Sequence, residues 1–264
     1  MCAKTVYLHG TDAREQARLT ELNRLTNAPF VDFLGIRPGE TVLEVGSGLG
    51  ILAEEVSRKV GGGRVVGVER ASEQLEATWR RAHARLEFVR GDAHALGFPD
   101  SSFDLVYCRY LLEHVADPAQ VLREMRRVLK EGGRAAVQEN DILVARFDPP
   151  CPRFDSLWAR FVELQRRLGG DALIGRRLFR LFREVGFRRI VLSIQPEVHW
   201  SGSPGFGPWI ENLIGNLRGA AASLAEHGLA RPGEVAQAEE ELRSFARLGE
   251  AAAFFYWNRA RADK

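Results

Sequence analysis

The chain has 264 residues, 45% hydrophobic and 27% charged, with 26 Gly, 11 Pro and 3 Cys. That hydrophobic share supports a full core, so general disorder is excluded, and the length suits one large α/β domain, alone or with a cap. Lys and Arg number 37 against 35 Asp and Glu, a formal charge of +2, so no overall charge marks a nucleic-acid binder.

The basic residues are divided unevenly, 33 Arg to 4 Lys, which reads mainly as a compositional bias spread over the surface. Cys2, Cys108 and Cys151 show no CxxC spacing, which argues against a disulfide scaffold and a zinc cluster. The start, MCAKTVYLHG, carries no apolar signal core, and no stretch reaches the ~20 apolar residues of a membrane span. A cytoplasmic protein without metal or membrane insertion is the expectation.

From residue 40 to 140 short β-branched runs alternate with amphipathic stretches. Strands are predicted at Thr41–Val45, Arg64–Val68, Leu86–Arg90, Phe103–Cys108 and Arg134–Glu139. Nearly continuous apolarity in the first, second and fourth suits strands covered by helices on both faces. Leu52, Val56 and Val60 share one face of a helix that stops at Gly61-Gly62-Gly63. Ser72 is the expected N-cap of the next helix. Asp117-Pro118 opens a helix through Val121, Leu122, Met125, Val128 and Leu129, with Gly132-Gly133 as its expected stop. Repeated β-α-β order with short connections implies a doubly wound, Rossmann-like parallel sheet.

Beyond residue 140 the rhythm turns helical, over Arg153–Leu168, Leu173–Val185 and two helices between about 206 and 248. Strands are predicted at Arg188–Val198 and Ala251–Trp257. The whole chain, 1–264, reads as a single domain. Helical pieces at 1–30, 145–170 and 203–248 exceed what the sheet needs. They are expected to form an N-terminal lid and a cap.

The most informative stretch is VLEVGSGLG, where a strand runs into Gly46, Gly48 and Gly50 before a helix. Glycine lets the backbone turn sharply and approach a ligand, although such a turn also serves as a plain tight connection. The dinucleotide pattern G-x-G-x-x-G would need glycine where Ile51 stands. Glu44, two residues before the first glycine, is ill suited to a pyrophosphate and well suited to an ammonium. Glu69 ends the second strand, 23 residues after Gly46, where an acid can accept from both ribose hydroxyls. After the third strand, Gly91-Asp92-Ala93 offers a carboxylate for an adenine amino group and an amide for a ring nitrogen. Together they describe a pocket for a nucleoside bearing a cation.

VLEVGSGLG, VVGVER, FVRGDAHALGFPDSSFDLVYCRYLLEHVADP and VLREMRRVLKEGGR resemble the successive motifs of class I S-adenosylmethionine-dependent methyltransferases, of the small-molecule, UbiE-like methyltransferase-domain kind. The resemblance implies a seven-stranded sheet with an antiparallel terminal strand, and S-adenosylmethionine as cofactor, leaving S-adenosylhomocysteine. It implies that Glu44 holds the methionine ammonium, with Gly46, Ser47 and Gly48 facing the cofactor. Glu69 would hold the ribose, Arg70 would pack beside the adenine that Gly91, Asp92 and Ala93 read, and Arg109 would close the methionine end. YLHGTDAREQARL resembles a lid in which Tyr7 and His9 cover the sulfonium, while Arg18 either reaches the cofactor carboxylate or is a solvated helix residue.

Methyl transfer is an in-line displacement, so the protein supplies mainly alignment. A base is needed only for an acceptor that loses a proton, and His114, Glu139, Asp141 and His9 are the candidates. His114 belongs to LLEHVADP, a common segment of the family it resembles, which favours a structural or cofactor-side role over catalysis, and at least one of residues 139–141 is expected at the surface. Phe154, Trp158 and Phe161 recur at helical spacing and Trp200, Phe206 and Trp209 cluster, as packing or as the wall of a site for a planar acceptor. The function expected is methylation of a small heterocycle, phenol or quinone. A lipid or ubiquinone-like acceptor and a non-catalytic S-adenosylmethionine-binding partner subunit stand as alternatives.

Overall fold

A computed structural model describes residues 13–264, with side chains from Gln16 onward. In chain order the principal elements are α1 (Ala13–Leu34), β1 (Thr41–Val45), α2 (Ile51–Lys59), β2 (Arg64–Glu69), α3 (Ser72–Thr78), β3 (Leu86–Arg90), β4 (Phe103–Arg109) and α4 (Pro118–Val128). There follow β5 (Leu129–Glu139), β6 (Arg146–Asp148), α5 (Pro152–Arg167), α6 (Leu178–Val185), β7 (Arg188–Trp200), α7 (Phe206–Glu226), α8 (Glu234–Ala246) and β8 (Ala252–Asp263).

The strands form one sheet in the order β3-β2-β1-β4-β5-β8, with β7 on the far side of β8. β1 to β5 pair in parallel, and β8 runs antiparallel to both β5 and β7. Successive residues of β1, β2, β4 and β5 go to opposite cores, the signature of strands covered on both faces. Leu43, Val45, Val106, Cys108 and Val137 pack with Val121, Leu122, Met125, Leu181 and Phe182 of α4 and α6. Their neighbours Val42, Leu105, Tyr107 and Ala136 pack with Phe30, Leu34, Leu52 and Val56 of α1 and α2. The C-terminal end of α1 is fastened beneath β1 by a buried pair. Arg134 donates to Glu40 Oε1 at 2.5 Å and Oε2 at 2.9 Å, and also to the Leu34 and Gly35 carbonyls.

A third core joins α5, α7 and α8 to Ala253, Phe255 and Trp257 of β8. It lies beyond the C-terminal ends of the parallel strands, so α5 and α7 stand over the edge where β1 begins its glycine turn.

Several sequence expectations need correction. Among the described residues the sheet has eight strands, because the three-residue β6 pairs with Phe254, Ala253 and Ala252 of β8. The last strand continues to Asp263. There Ala260 and Ala262 are buried on one face, while Arg259 and Arg261 lie over the rings of Phe30 and Phe33 on the other. Gly132-Gly133 does not stop α4. Leu129 turns straight into an extended conformation, and the two glycines lie inside β5 at a register break opposite Phe103–Leu105. Ser72 is the first helical residue and makes no capping bond; Ala71 occupies the cap. Residues Ile174–Arg177 form a 3-10 turn ahead of α6.

Candidate functional site

The glycine turn after β1 is a folded unit. Gly46, Gly48 and Gly50 have φ of +76°, +52° and +71°, the left-handed region that a side chain disfavours. Gly46 N–H and Ser47 N–H both donate to the Val68 carbonyl at 2.9 Å, binding the turn to β2. A Cβ on Gly50 would come within 2.6 Å of Phe88. The close packing of β1, β2 and β3 thus requires glycine there.

This turn opens into a cavity of about 300 Å³ at the switch point between β1 and β4, where open α/β sheets bind ligands. Glu44, Gly46, Ser47, Gly48, Glu69, Arg70, Gly91, Asp92 and Ala93 all line it. Glu44 is 3% exposed, and its Oε2 has no hydrogen-bond partner; nor has Ser47 Oγ. Burial pushes the Glu44 carboxyl up to about 8, against the pull of the Arg109 guanidinium and the Tyr107 hydroxyl, while the charge of Glu69 adds to the rise. An unpartnered buried carboxylate oxygen is costly, and a cationic donor placed beside it relieves that cost.

Glu69 is differently placed. Its Oε1 accepts from Arg70 and Ala71 N–H at 2.8 Å, and its Oε2 accepts from Gly48 N–H at 2.9 Å. Three of about four lone-pair positions are taken, which leaves one for a ligand hydroxyl. Asp92 Oδ1 accepts from His94 N–H and also lies 2.9 Å from His94 Nδ1. The His94 amide holds this carboxyl below its ordinary range despite partial burial, and Oδ2 makes no hydrogen bond among the described residues.

Arg109 lines the cavity but is fully engaged with α1. Its Nη2 donates to Asn23 Oδ1 and Asn27 Oδ1, both at 2.6 Å, and its Nη1 to Thr26 Oγ1 at 3.2 Å. The guanidinium lies over the rings of Phe30 and Tyr110. Arg18 also lines the cavity, and its Nη1 donates to Asn212 Oδ1 of α7 at 2.7 Å. It is therefore a link between α1 and α7 at the cavity wall rather than a solvated helix residue. Tyr7 and His9 lie outside the described residues.

Of the candidate bases, His114 lines the cavity, with its Nε2 3.7 Å from Glu113 Oε1. Glu139 and Asp141 are not among the lining residues. Glu139 is fully buried, accepting from Leu111, Leu112 and Glu113 N–H, so it holds the loop after β4. Burial and the adjacent Glu113 push its carboxyl well above the ordinary range. Asp141 is consumed by a two-point pair with Arg176, at 2.6 and 2.8 Å. No residue of 139–141 is exposed, against expectation: Glu139 and Asp141 are buried and Asn140 half-buried.

The other half of the cavity is aromatic. Trp158, Phe161 and Trp209 line it as the wall envisaged from spacing, joined by Tyr110, Phe255 and Trp257. Phe154 and Phe206 serve the core behind it, and Trp200 is exposed. Sequence reasoning missed Glu113, Asn140 and Asn212, which also line it. Glu113 adjoins a flagged histidine and Asn140 lies between two flagged acids, whereas nothing local marks Asn212. Among the described residues no cluster of His, Cys, Asp or Glu is placed to hold a metal ion, and no helix is long and apolar enough to cross a membrane.

A doubly wound sheet with a glycine turn at its switch point and an acid at the C-terminal end of each of its first three strands defines a nucleoside-binding α/β fold. Residues 43–137 match the family model described as a methyltransferase domain. Over 162 residues the chain is 40% identical to a ubiquinone/menaquinone biosynthesis C-methyltransferase UbiE of Hahella chejuensis, covering 56% of this chain and 65% of that protein. Over 179 residues it is 36% identical to a 37.1 kDa protein in transposon TN4556 of Streptomyces fradiae, covering 66% and 50%. The chain thus spans between half and about two thirds of the length of these two relatives. A solved structure from Bacillus halodurans C-125 shares the fold, with a TM-score of 0.60 at 21% identity over 91% of this chain and 99% of that one. The matched domain and these relatives support a class I S-adenosylmethionine-dependent methyltransferase.

Proposed function

We propose that this protein transfers a methyl group from S-adenosylmethionine to a small planar acceptor, a heterocycle, phenol or quinone. One observation carries the reading. A buried carboxylate with an unpartnered oxygen, Glu44, and an aromatic chamber line the same cavity, on opposite sides of one switch point. The donor set fits the cofactor: Glu44 would hold the ammonium, Glu69 a ribose hydroxyl, and Asp92 with the Ala93 amide the adenine. Bound there, the cofactor supplies a methyl group on a cationic sulfur, already joined to a good leaving group. The chain's own part is then alignment. The turn Gly46–Gly50 fixes one end, Arg109 is locked in place by Asn23, Thr26 and Asn27, and the aromatic rings exclude water and hold a flat acceptor. Near-attack positioning of this kind contributes up to about 7–11 kcal/mol.

The 40% identity to a quinone C-methyltransferase supports a second reading, a lipid-linked quinone-like acceptor; cosedimentation of the protein with lipid vesicles would favour it. Calorimetry tests the cofactor assignment. S-adenosylhomocysteine is expected to bind at micromolar affinity or better, and at least tenfold more weakly to Glu69→Ala. Unchanged affinity would remove the site. Methyl incorporation from labelled cofactor into a panel of heterocycles, phenols and quinones then defines the acceptor.

A further inference from the structure

β4 and β5 end on the side of the switch point away from Glu44, Glu69 and Asp92, and one acid lines the cavity there. Glu113 lies in the single 3-10 turn Leu112–His114 after β4 and is 5% exposed. Its main chain is pinned on both sides. The N–H donates to Glu139 Oε2 at 3.4 Å, and the carbonyl accepts from Gln165 Nε2 at 3.0 Å and Asp171 N–H at 2.9 Å. The carboxylate therefore sits on a fixed support. Its Oε1 accepts from Asn140 Nδ2 at 2.6 Å. Its Oε2 makes no hydrogen bond among the described residues.

The nearby walls present rings more than donors. Of the three indoles lining the cavity, two have their N–H groups spent: Trp158 Nε1 donates to the Ile142 carbonyl at 2.9 Å and Trp257 Nε1 to Glu197 Oε1 at 3.0 Å. The Tyr110 hydroxyl accepts from Gln138 Nε2 at 2.7 Å, and Gln138 is itself fixed by Arg259. A flat molecule lying among these rings meets the open oxygen of Glu113, the one carboxylate among the described lining residues on this side, with the His114 ring 3.7 Å from its other oxygen. Buried carboxylate oxygens of this kind are satisfied by a ligand that donates.

We infer that Glu113 receives the N–H or O–H of the methyl acceptor, orients that atom toward the cofactor and takes its proton during transfer. This rests on the methyltransferase reading above and narrows it: the acceptor is a planar ring bearing an ionisable N–H or O–H, not an oxidised quinone. In the step, a lone pair on the acceptor nitrogen or oxygen forms the bond to the methyl carbon. The carbon–sulfur bond breaks and its electron pair stays on sulfur. The acceptor's proton passes to Glu113 and is lost to water once the methylated product leaves.

Calorimetry with Glu113→Gln tests this, using S-adenosylhomocysteine first and then 2-naphthol or 1,4-naphthoquinone as probes. S-adenosylhomocysteine is expected to bind wild type and variant alike; no binding to wild type would overturn the methyltransferase reading itself. On the cofactor-loaded proteins, 2-naphthol is expected to bind the variant at least tenfold more weakly, while 1,4-naphthoquinone, which has no donor, is unaffected. Equal naphthol binding to both proteins, or none to wild type, overturns the role of Glu113. In turnover, transfer to 2-naphthol is expected to fall about 100-fold or more in Glu113→Gln. Transfer to thiophenol, already ionised at about pH 8, should change less than threefold, because no proton remains to be taken. A parallel loss with both acceptors would assign Glu113 a purely structural part. Should Glu113→Gln fail to bind S-adenosylhomocysteine, Glu113→Asp replaces it. That variant is expected to regain part of the naphthol binding, and a complete loss would count against the proposal.

Discussion

Replacing Glu44 by Gln keeps the shape of the side chain and removes its ability to ionise. Burial raises this carboxyl to about 8, whereas in the unfolded chain it titrates near 4.5. The difference, at about 1.4 kcal/mol per pH unit, corresponds to about 5 kcal/mol. The sign follows from which state keeps the proton longer. The folded protein holds it to higher pH, so the contribution is fully present below about 4.5 and is lost as pH rises through 8. Urea unfolding of wild type is therefore expected to show stability falling by several kcal/mol from pH 5 to pH 8 relative to Glu44→Gln. The same residue should report cofactor binding. At pH 7 roughly nine in ten molecules carry the proton, which an incoming ammonium must displace. Titration with S-adenosylhomocysteine in phosphate and in Tris should thus reveal release of close to one proton by wild type and none by Glu44→Gln. The variant should also bind about 10- to 100-fold more weakly, the loss of one charge-assisted hydrogen bond. Equal proton release by the two proteins, or parallel stability profiles, would refute the argument.

Gly50→Ala forces a side chain into φ +71° and a Cβ to within 2.6 Å of Phe88. A loss of about 2–5 kcal/mol is expected in urea unfolding, and combining it with Phe88→Ala should show non-additive relief. Glu40→Gln leaves Arg134 buried without its charge partner, at an expected cost of about 3–5 kcal/mol. Burial opposes the charge of Glu40, but hydrogen bonds from Arg134 and the Arg37 amide prevail and hold the carboxyl below its ordinary range. Its contribution is therefore present above about pH 4.5 and lost as pH falls, so this variant should lack part of the wild-type acid destabilisation.

The residues of the proposed cofactor half are legible in the sequence because they lie at strand ends and strand ends show in local patterns. Glu44, Glu69 and Asp92 each follow an apolar run, and the glycines announce the turn between the first run and its helix. The aromatic half of the cavity depends on packing between distant segments. Arg18 meets Asn212 across 194 residues, and Arg259 meets Gln138 across 121, so no local pattern announces either contact. Glu139 and Asp141 stood in the right place in the chain. The loop amides and Arg176 took their carboxylates, and only three-dimensional neighbours could reveal that. The predicted last strand ends at Trp257 because NRARAD reads as polar, and only the fold places Phe30 and Phe33 beneath its arginines. Gly132-Gly133 misled because glycine punctuates strands at register breaks as readily as it ends helices.

The position of β8 sets an order on biosynthesis. Residues 41–109 build β1 to β4, the glycine turn and the three acids from neighbouring stretches of chain, so this half can assemble as the polypeptide emerges. β5 and β7 have no hydrogen-bonded connection to each other until β8 enters between them, and β8 carries Phe255 and Trp257 of the aromatic wall. The chamber that would select a substrate is thus completed last, by a strand from the far end of the described chain. A nascent chain would acquire its cofactor cradle well before it acquired any selectivity for what to modify.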